Sequence, residues 1–160
     1  MTTEKEHVFE TAGLGKAPFT FVGMYVSRGP IRTELNGVVC EVGYAGQPMG
    51  TCEYCGNGIA NCFQIKSADG KSFIVGSECV MKTGDNGLRA KVNEVKTAIQ
   101  HEKDDTFILE GMKWVEDNAE ALKLTKHGKY TLYDSLLWYK KNAGRSGMIR
   151  ILKFARKAIA

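Results

Sequence analysis

The chain has 160 residues, 43% of them hydrophobic and 25% charged, with a net charge of +4. That length and apolar content fit one compact domain, or a small domain with a helical extension, and exclude disorder as the default. No run of about 18 apolar residues occurs, so no membrane-spanning segment and no membrane partner are expected.

The start, MTTEKEHVFE, is acidic and lacks the apolar stretch of a signal peptide, which places the expected compartment as a reducing cytoplasm. Five cysteines in such a compartment read as metal ligands or free thiols rather than disulfides. Composition shifts once, near Gly84–Gly87. Pro18, Pro30 and Pro48 all precede that point, and Lys, Glu, Ala and Leu dominate after it. The spacing therefore predicts an α+β protein: a β-rich module over residues 1–86 and a basic helical region of about four helices over residues 87–160, packed as one unit.

In chain order, Gly13-Leu14-Gly15-Lys16 is expected to make a tight turn before a strand over Phe19–Val26, and Gly37–Val42 is a second strand candidate. Residues 59–66 and 71–75 flank Ser67-Ala68-Asp69-Gly70, which predicts a hairpin. A loop at Ala68–Gly70 sets Ile65 against Phe73, Phe63 against Val75, and Cys62 opposite Gly76. Asp85 or Asn86 caps a first long helix with the stripe Leu88, Val92, Val95, Ile99. Asp104-Asp105-Thr106 is read as the cap of a second, carrying Ile108, Met112, Val115, Ala119 and Leu122. After the loop His127-Gly128-Lys129, a third helix starts at Thr131 and runs through Leu132, Leu136 and Tyr139. A fourth is expected from a Ser146 cap towards Ala160. Leu136 and Trp138 are both expected in the core.

Cys52-x2-Cys55-Gly56 is a zinc-knuckle pattern: one tight turn supplies two thiolates, and glycine relieves the backbone where amides face sulfur. A hairpin follows, and Cys79 then stands at a helical turn, the ligand order of a treble clef or zinc ribbon. A tetrahedral zinc needs a fourth donor. The helix positions that would supply it, Lys82 and Thr83, bind zinc poorly, so Cys62 is the expected fourth ligand. Cys40 is next, and His101 or His127 is a distant third. The expected cofactor is one structural Zn²⁺ held by Cys52, Cys55, Cys62 and Cys79. A thioredoxin-like redox motif would open a long helix, whereas Cys55 is followed by Gly-Asn-Gly.

The set AGLGKAPF at 12–19, CEYCG at 52–56, SADGK at 67–71, VGSECV at 75–80 and KTGD at 82–85 resembles a family of small zinc-binding proteins of bacteriophage and mobile-element genomes. The resemblance covers residues 9–87 well and the basic tail loosely. It implies a zinc module of phage-like origin and brings no activity with it.

Catalytic motifs fail on spacing. A zinc deaminase needs H-x-E and P-C-x-x-C, but Pro48 lies four residues before Cys52, and His7-Val8-Phe9-Glu10 has one residue too many. Closure of the site by Cys62 and Cys79 would also leave no position for a catalytic water. Near the knuckle there is no histidine for a ββα-metal nuclease. Gly13-Leu14-Gly15-Lys16 lacks the upstream glycine and the Ser/Thr of a P-loop. No enzymatic activity is expected.

Charge is polarised. Residues 1–86 hold seven Lys/Arg and nine Asp/Glu, whereas residues 87–160 hold fifteen and nine. From Lys123 onward there are ten basic residues and one acid, Asp134. Arg150, Lys153 and Lys157 share one face of the last helix, with Arg156 beside it, and Lys140, Lys141 and Arg145 extend the charge backwards. These seven are the expected phosphate contacts of a nucleic-acid-binding surface, with DNA ranked ahead of RNA. The alternative is a phage accessory protein that binds and inhibits or modifies a host protein.

Overall fold

Ser67-Ala68-Asp69-Gly70 turns the chain as its composition predicts in the structure, a computed structural model that describes residues 5–160. Met1–Glu4, part of the segment read as lacking a signal sequence, lie outside the described residues. The hairpin joins β6 (Asn61–Lys66) to β7 (Ser72–Val75) in the expected register, Phe63 against Val75 and Ile65 against Phe73. Strand β1 (Thr20–Val26) lies antiparallel on the other edge of β6, giving a three-stranded sheet of order β1-β6-β7. Three smaller antiparallel pairs accompany it: β2 (Ile31–Leu35) with β3 (Val38–Val42), β4 (Gly50–Thr51) with β5 (Gly58–Ile59), and β8 (Lys126–His127) with β9 (Tyr130–Thr131). The helices are α1 (Val8–Thr11), α2 (Ser77–Lys82), α3 (Asn86–Asp117), α4 (Ala119–Leu124), α5 (Leu132–Asn142) and α6 (Arg145–Ala158). The molecule is α+β, with its sheets mainly in the N-terminal half and its long helices in the C-terminal half.

Two compact units are present, Met1–Lys96 and Thr97–Ala160. The division falls inside α3, beyond the composition shift, because Leu88 and Val92 of that helix belong to the first core. That core gathers Phe9, Phe19, Phe63, Ile65, Phe73 and Val75 with Val80 of α2. Phe9 contacts Phe19 and Phe73 edge-on, at ring separations of 5.5 and 5.2 Å. The second core joins Met112 and Val115 of α3 to Leu122, Leu132, Leu136, Met148, Ile151, Leu152 and Ala155. A side chain at Gly111 would collide with Leu152, so glycine lets α3 and α6 approach closely there.

Three differences from the sequence reading have identifiable causes. Helix α3 does not break at Asp104-Asp105-Thr106. Its polar side chains are absorbed within the unit: Thr106 Oγ1 donates to the Glu102 carbonyl at 2.9 Å, and Gln100 donates to Asp104 at 2.8 Å. Asp105 serves Arg145 instead of capping a helix. The chain breaks at Asn118 instead, between α3 and α4. Strand β2 has no counterpart in the sequence reading. Asn36-Gly37 creates it, since both residues have positive φ (52° and 78°), the pairing a two-residue hairpin turn requires. Finally, Trp138 is 59% exposed, while Leu136 is fully buried. Helix α6 also begins slightly earlier than read, with Gly144 rather than Ser146 at its N-cap. Asp85 and Thr131 take their expected cap positions, through Leu88 N–H to Asp85 at 3.0 Å and Asp134 N–H to Thr131 at 3.1 Å.

Two sequence motifs prove to be one contact. Gly13 and Gly15 adopt positive φ, and a side chain on Gly15 would collide with Ser67. The turn they make docks on the β6–β7 turn: Lys16 N–H donates to Asp69 Oδ1 at 3.0 Å, and Ala68 N–H donates to the Lys16 carbonyl at 2.9 Å. The hydroxyl of Ser67 and the Lys16 amide hold the Asp69 carboxyl below its ordinary value of 3.8. A depressed folded value means that this contact is at full strength above the ordinary value and is lost as pH falls through the lower, folded one. Hydrogen exchange should therefore find the Lys16 amide protected near neutral pH and unprotected in acid, and Asp69→Ala should remove the protection at every pH.

Candidate metal centre

The loop between β4 and β5 presents the two knuckle cysteines, and several backbone bonds fix its shape. Cys52 N–H donates to the Asn57 carbonyl at 2.9 Å and Gly56 N–H to the Cys52 carbonyl at 2.7 Å, with Gly56 at φ 77°. That conformation is the reason a glycine follows the second cysteine. Glu53 anchors the loop to the exposed edge of β7: its N–H donates to the Ile74 carbonyl at 2.8 Å, and its carboxylate accepts from Ile74 N–H. From the other side, Gly76 caps the six-residue helix α2 and places Cys79 in the first core.

The result is a group of three sulfurs, from Cys52, Cys55 and Cys79, all within 4.8 Å of one another. Cys52 and Cys79 are 3.7 Å apart. Two backbone N–H groups point at sulfur, Gly76 towards Cys52 at 3.5 Å and Asn57 towards Cys55. The trio opens on a cavity of about 420 Å³ that is also lined by Asn57, Asn61, Ser77, Glu78 and Lys82.

Cys55 and Cys79 are shifted in opposite directions. The Asn57 N–H, with hydrogen bonds from Cys79 and Cys52, lowers the Cys55 pKa, and Lys82 adds a smaller effect in the same direction. Burial, reinforced by the neighbouring Cys55 and Cys52, pushes the Cys79 thiol up to about 12. Three thiols this close do not ionise together, because like charges at such separations repel strongly. A bound cation takes all three as thiolates and removes that conflict. The donor set, its spacing and the N–H groups aimed at sulfur therefore fit a thiophilic metal.

Cys62 is not part of this group. The hairpin register that placed it opposite Gly76 is correct, but side chains alternate along a strand. Phe63 and Ile65 enter the core, and Cys62 falls on the other side of the pleat, paired with Tyr25 of β1. Its sulfur packs where any side chain on Gly50 would collide with it, and burial raises its pKa despite the opposing hydrogen bond from Tyr25. Cys40 lies on β3 opposite Thr33 and is also outside the group. Four thiols therefore do not gather around one centre, and one side of the trio faces a cavity. Sequence spacing does not single out Glu53 or Asn57, since both act through backbone contacts that depend on the folded loop.

Of the seven basic residues read as phosphate contacts, Lys140, Lys141, Arg150, Lys153 and Lys157 are exposed, and none is paired with an acid among the described residues. Lys153 Nζ lies over the Phe107 ring at 5.9 Å from its centre, and the other two are held more closely inside their own unit. Arg145 makes a two-pronged pair with Asp105 at 2.6 and 2.9 Å. Arg156 stacks its guanidinium over Phe107 and Trp114, at 5.1 and 5.6 Å from the ring centres. Among the described residues no helix is long and apolar enough to cross a membrane. Comparison with protein-family models, with curated proteins and with solved structures finds no match to this chain.

Proposed function

We propose that the protein binds nucleic acid through the basic face of α5 and α6, and that a structural zinc ion on Cys52, Cys55 and Cys79 stabilises its first unit. The observation that carries this reading is the set of five exposed cations, Lys140, Lys141, Arg150, Lys153 and Lys157, in a stretch whose one acid is Asp134. Arg150, Lys153 and Lys157 lie within one face of α6 at helical spacing, a geometry suited to successive phosphates. DNA is ranked ahead of RNA, and the resemblance over residues 9–87 supports a phage origin for such a protein. Titration of duplex and single-stranded oligonucleotides at increasing salt tests the reading: affinity should fall linearly on a logarithmic scale as counterions are released.

The metal in this reading is held by three protein sulfurs in a treble-clef-like order, with its fourth ligand from outside the trio. One metal ion per chain is expected in protein purified without added metal. Cys62→Ser and Cys40→Ser should each keep that stoichiometry, with X-ray absorption reporting three sulfurs per metal. Loss of metal from the Cys62 variant would instead mean that the strand shifts to close the site.

A second reading, an accessory protein that binds a host protein, is favoured by one feature. The β2–β3 hairpin sets Ile31, Leu35, Val38 and Val42 on one face, each between 44% and 61% exposed. A pull-down that survives high salt and is lost in Val38→Asp would favour it over the electrostatic reading.

A further inference from the structure

The second unit contains a groove that the phosphate contacts do not use. The β8–β9 hairpin stands against one side of α5, and between them lies a cavity of about 580 Å³ lined by His127, Lys129, Tyr130, Asp134, Trp138 and Tyr139. Tyr130 is 69% exposed and Trp138 59%, although both are large aromatic side chains in a unit with a well-filled core. Trp138 is held edge-on by Tyr139, with ring centres 5.3 Å apart.

The polar groups in the groove are fixed as well. Ser135 donates its hydroxyl proton to the Thr131 carbonyl at 3.0 Å, so the 3.0 Å contact between Ser135 Oγ and His127 Nδ1 requires His127 to donate. A neutral His127 then keeps its proton on Nδ1 and leaves Nε2 as an acceptor. The ring itself rests against Phe154 at 5.3 Å. Asp134 accepts from the Thr131 hydroxyl at 2.7 Å. This carboxylate is the one acid among the ten cations of residues 123–160. A groove meant for phosphate would not hold it. A ligand with an aromatic face and amino-group donors suits both the exposed rings and the carboxylate, and its phosphates would fall to the lysines around the groove.

We infer that this groove takes an unpaired base of a single-stranded nucleic acid, stacked on Trp138 and Tyr130, with an exocyclic amino group donating to Asp134 and the flanking phosphates on Lys129 and the α5 lysines. The inference rests on the nucleic-acid reading above and narrows it from polyanion to single strand. Base–aromatic stacking is sequence-tolerant, and its loss costs about five- to a hundredfold in affinity per base. A carboxylate adds a preference for bases carrying an amino group, cytosine above all.

The test uses the whole 160-residue chain, loaded with metal, and takes oligo(dC), oligo(dT), a duplex and deoxycytidine monophosphate as probes. Trp138→Ala and Tyr130→Ala should each weaken oligo(dC) binding by about tenfold while leaving duplex binding and far-UV circular dichroism unchanged. Trp138→Phe should restore most of the affinity but lose the tryptophan quenching that the oligonucleotide produces. Asp134→Asn should narrow the difference between oligo(dC) and oligo(dT). If the alanine variants bind single strands as the parent does, the groove assignment is overturned while the phosphate reading stands. Equal competition by the monophosphate would overturn the assignment to a strand. Absence of any nucleic-acid binding at low salt by the parent protein would overturn both.

Discussion

Replacing Arg150, Lys153 and Lys157 together by Glu should abolish nucleic-acid binding, the largest functional effect expected of any substitution in this chain. All three side chains are exposed, and their α6 neighbours Ile151, Leu152 and Ala155 fill the second core, so the helix itself should survive the change. The substitution reverses three charges on one face and replaces attraction to the backbone by repulsion. Single replacements by Ala should weaken binding about equally on all sequences, and each should lower the magnitude of the salt slope by about 1. Arg145 and Arg156 provide the internal contrast. Arg145→Ala should act through stability, since it strips Asp105 of its partner, and Arg156→Ala should loosen the packing over Phe107 and Trp114. Filter binding or fluorescence anisotropy at several salt concentrations, with thermal melts of each variant, separates the two kinds of loss. Retention of full, salt-sensitive binding by the triple variant would place the interface elsewhere.

Cys52→Ser or Cys79→Ser should release the metal and destabilise the first unit by more than about 4 kcal/mol, the range reached when a metal site is lost. Both residues are buried, and Cys52 accepts from Gly76 N–H at the start of α2, so its loss disturbs the knuckle and the helix together. The first unit also has a hydrophobic core of its own, built on Phe9, Phe63, Phe73 and Val80. The expected outcome is therefore a loosened knuckle and α2 on a weakened sheet. Chelation should reproduce the Ser variants, while the helices of Thr97–Ala160 keep their circular dichroism signal. The metal should also be released on acidification, because all three sulfurs must be deprotonated to bind it and protons compete as pH falls. A chain that melts identically with and without chelator would remove the structural role assigned to the metal.

What the sequence by itself determined are the features governed by neighbours a few residues apart. The Ser67–Gly70 turn, with alternating apolar residues on both sides, set the β6–β7 register. The Cys52–Cys55–Gly56 spacing gave the knuckle, and the side-chain oxygens of Asp85 and Thr131 gave helix starts. Helical periodicity gave the buried Leu88 and Val92 of α3 and the buried Leu132 and Leu136 of α5. Tertiary structure decided the rest, because those outcomes depend on partners that spacing does not encode. Cys62 was correctly placed along its strand, yet whether it joins the sulfur group turned on the face of the pleat it takes, which is the one opposite Phe63 and Ile65. Asp105 and Arg145 are forty residues apart, and only the packed helices make one the partner of the other rather than a cap and a phosphate contact. Trp138 carries the composition of a core residue, but Leu132 and Leu136 on the neighbouring face of α5 already fill the second core, so its ring is left facing the groove.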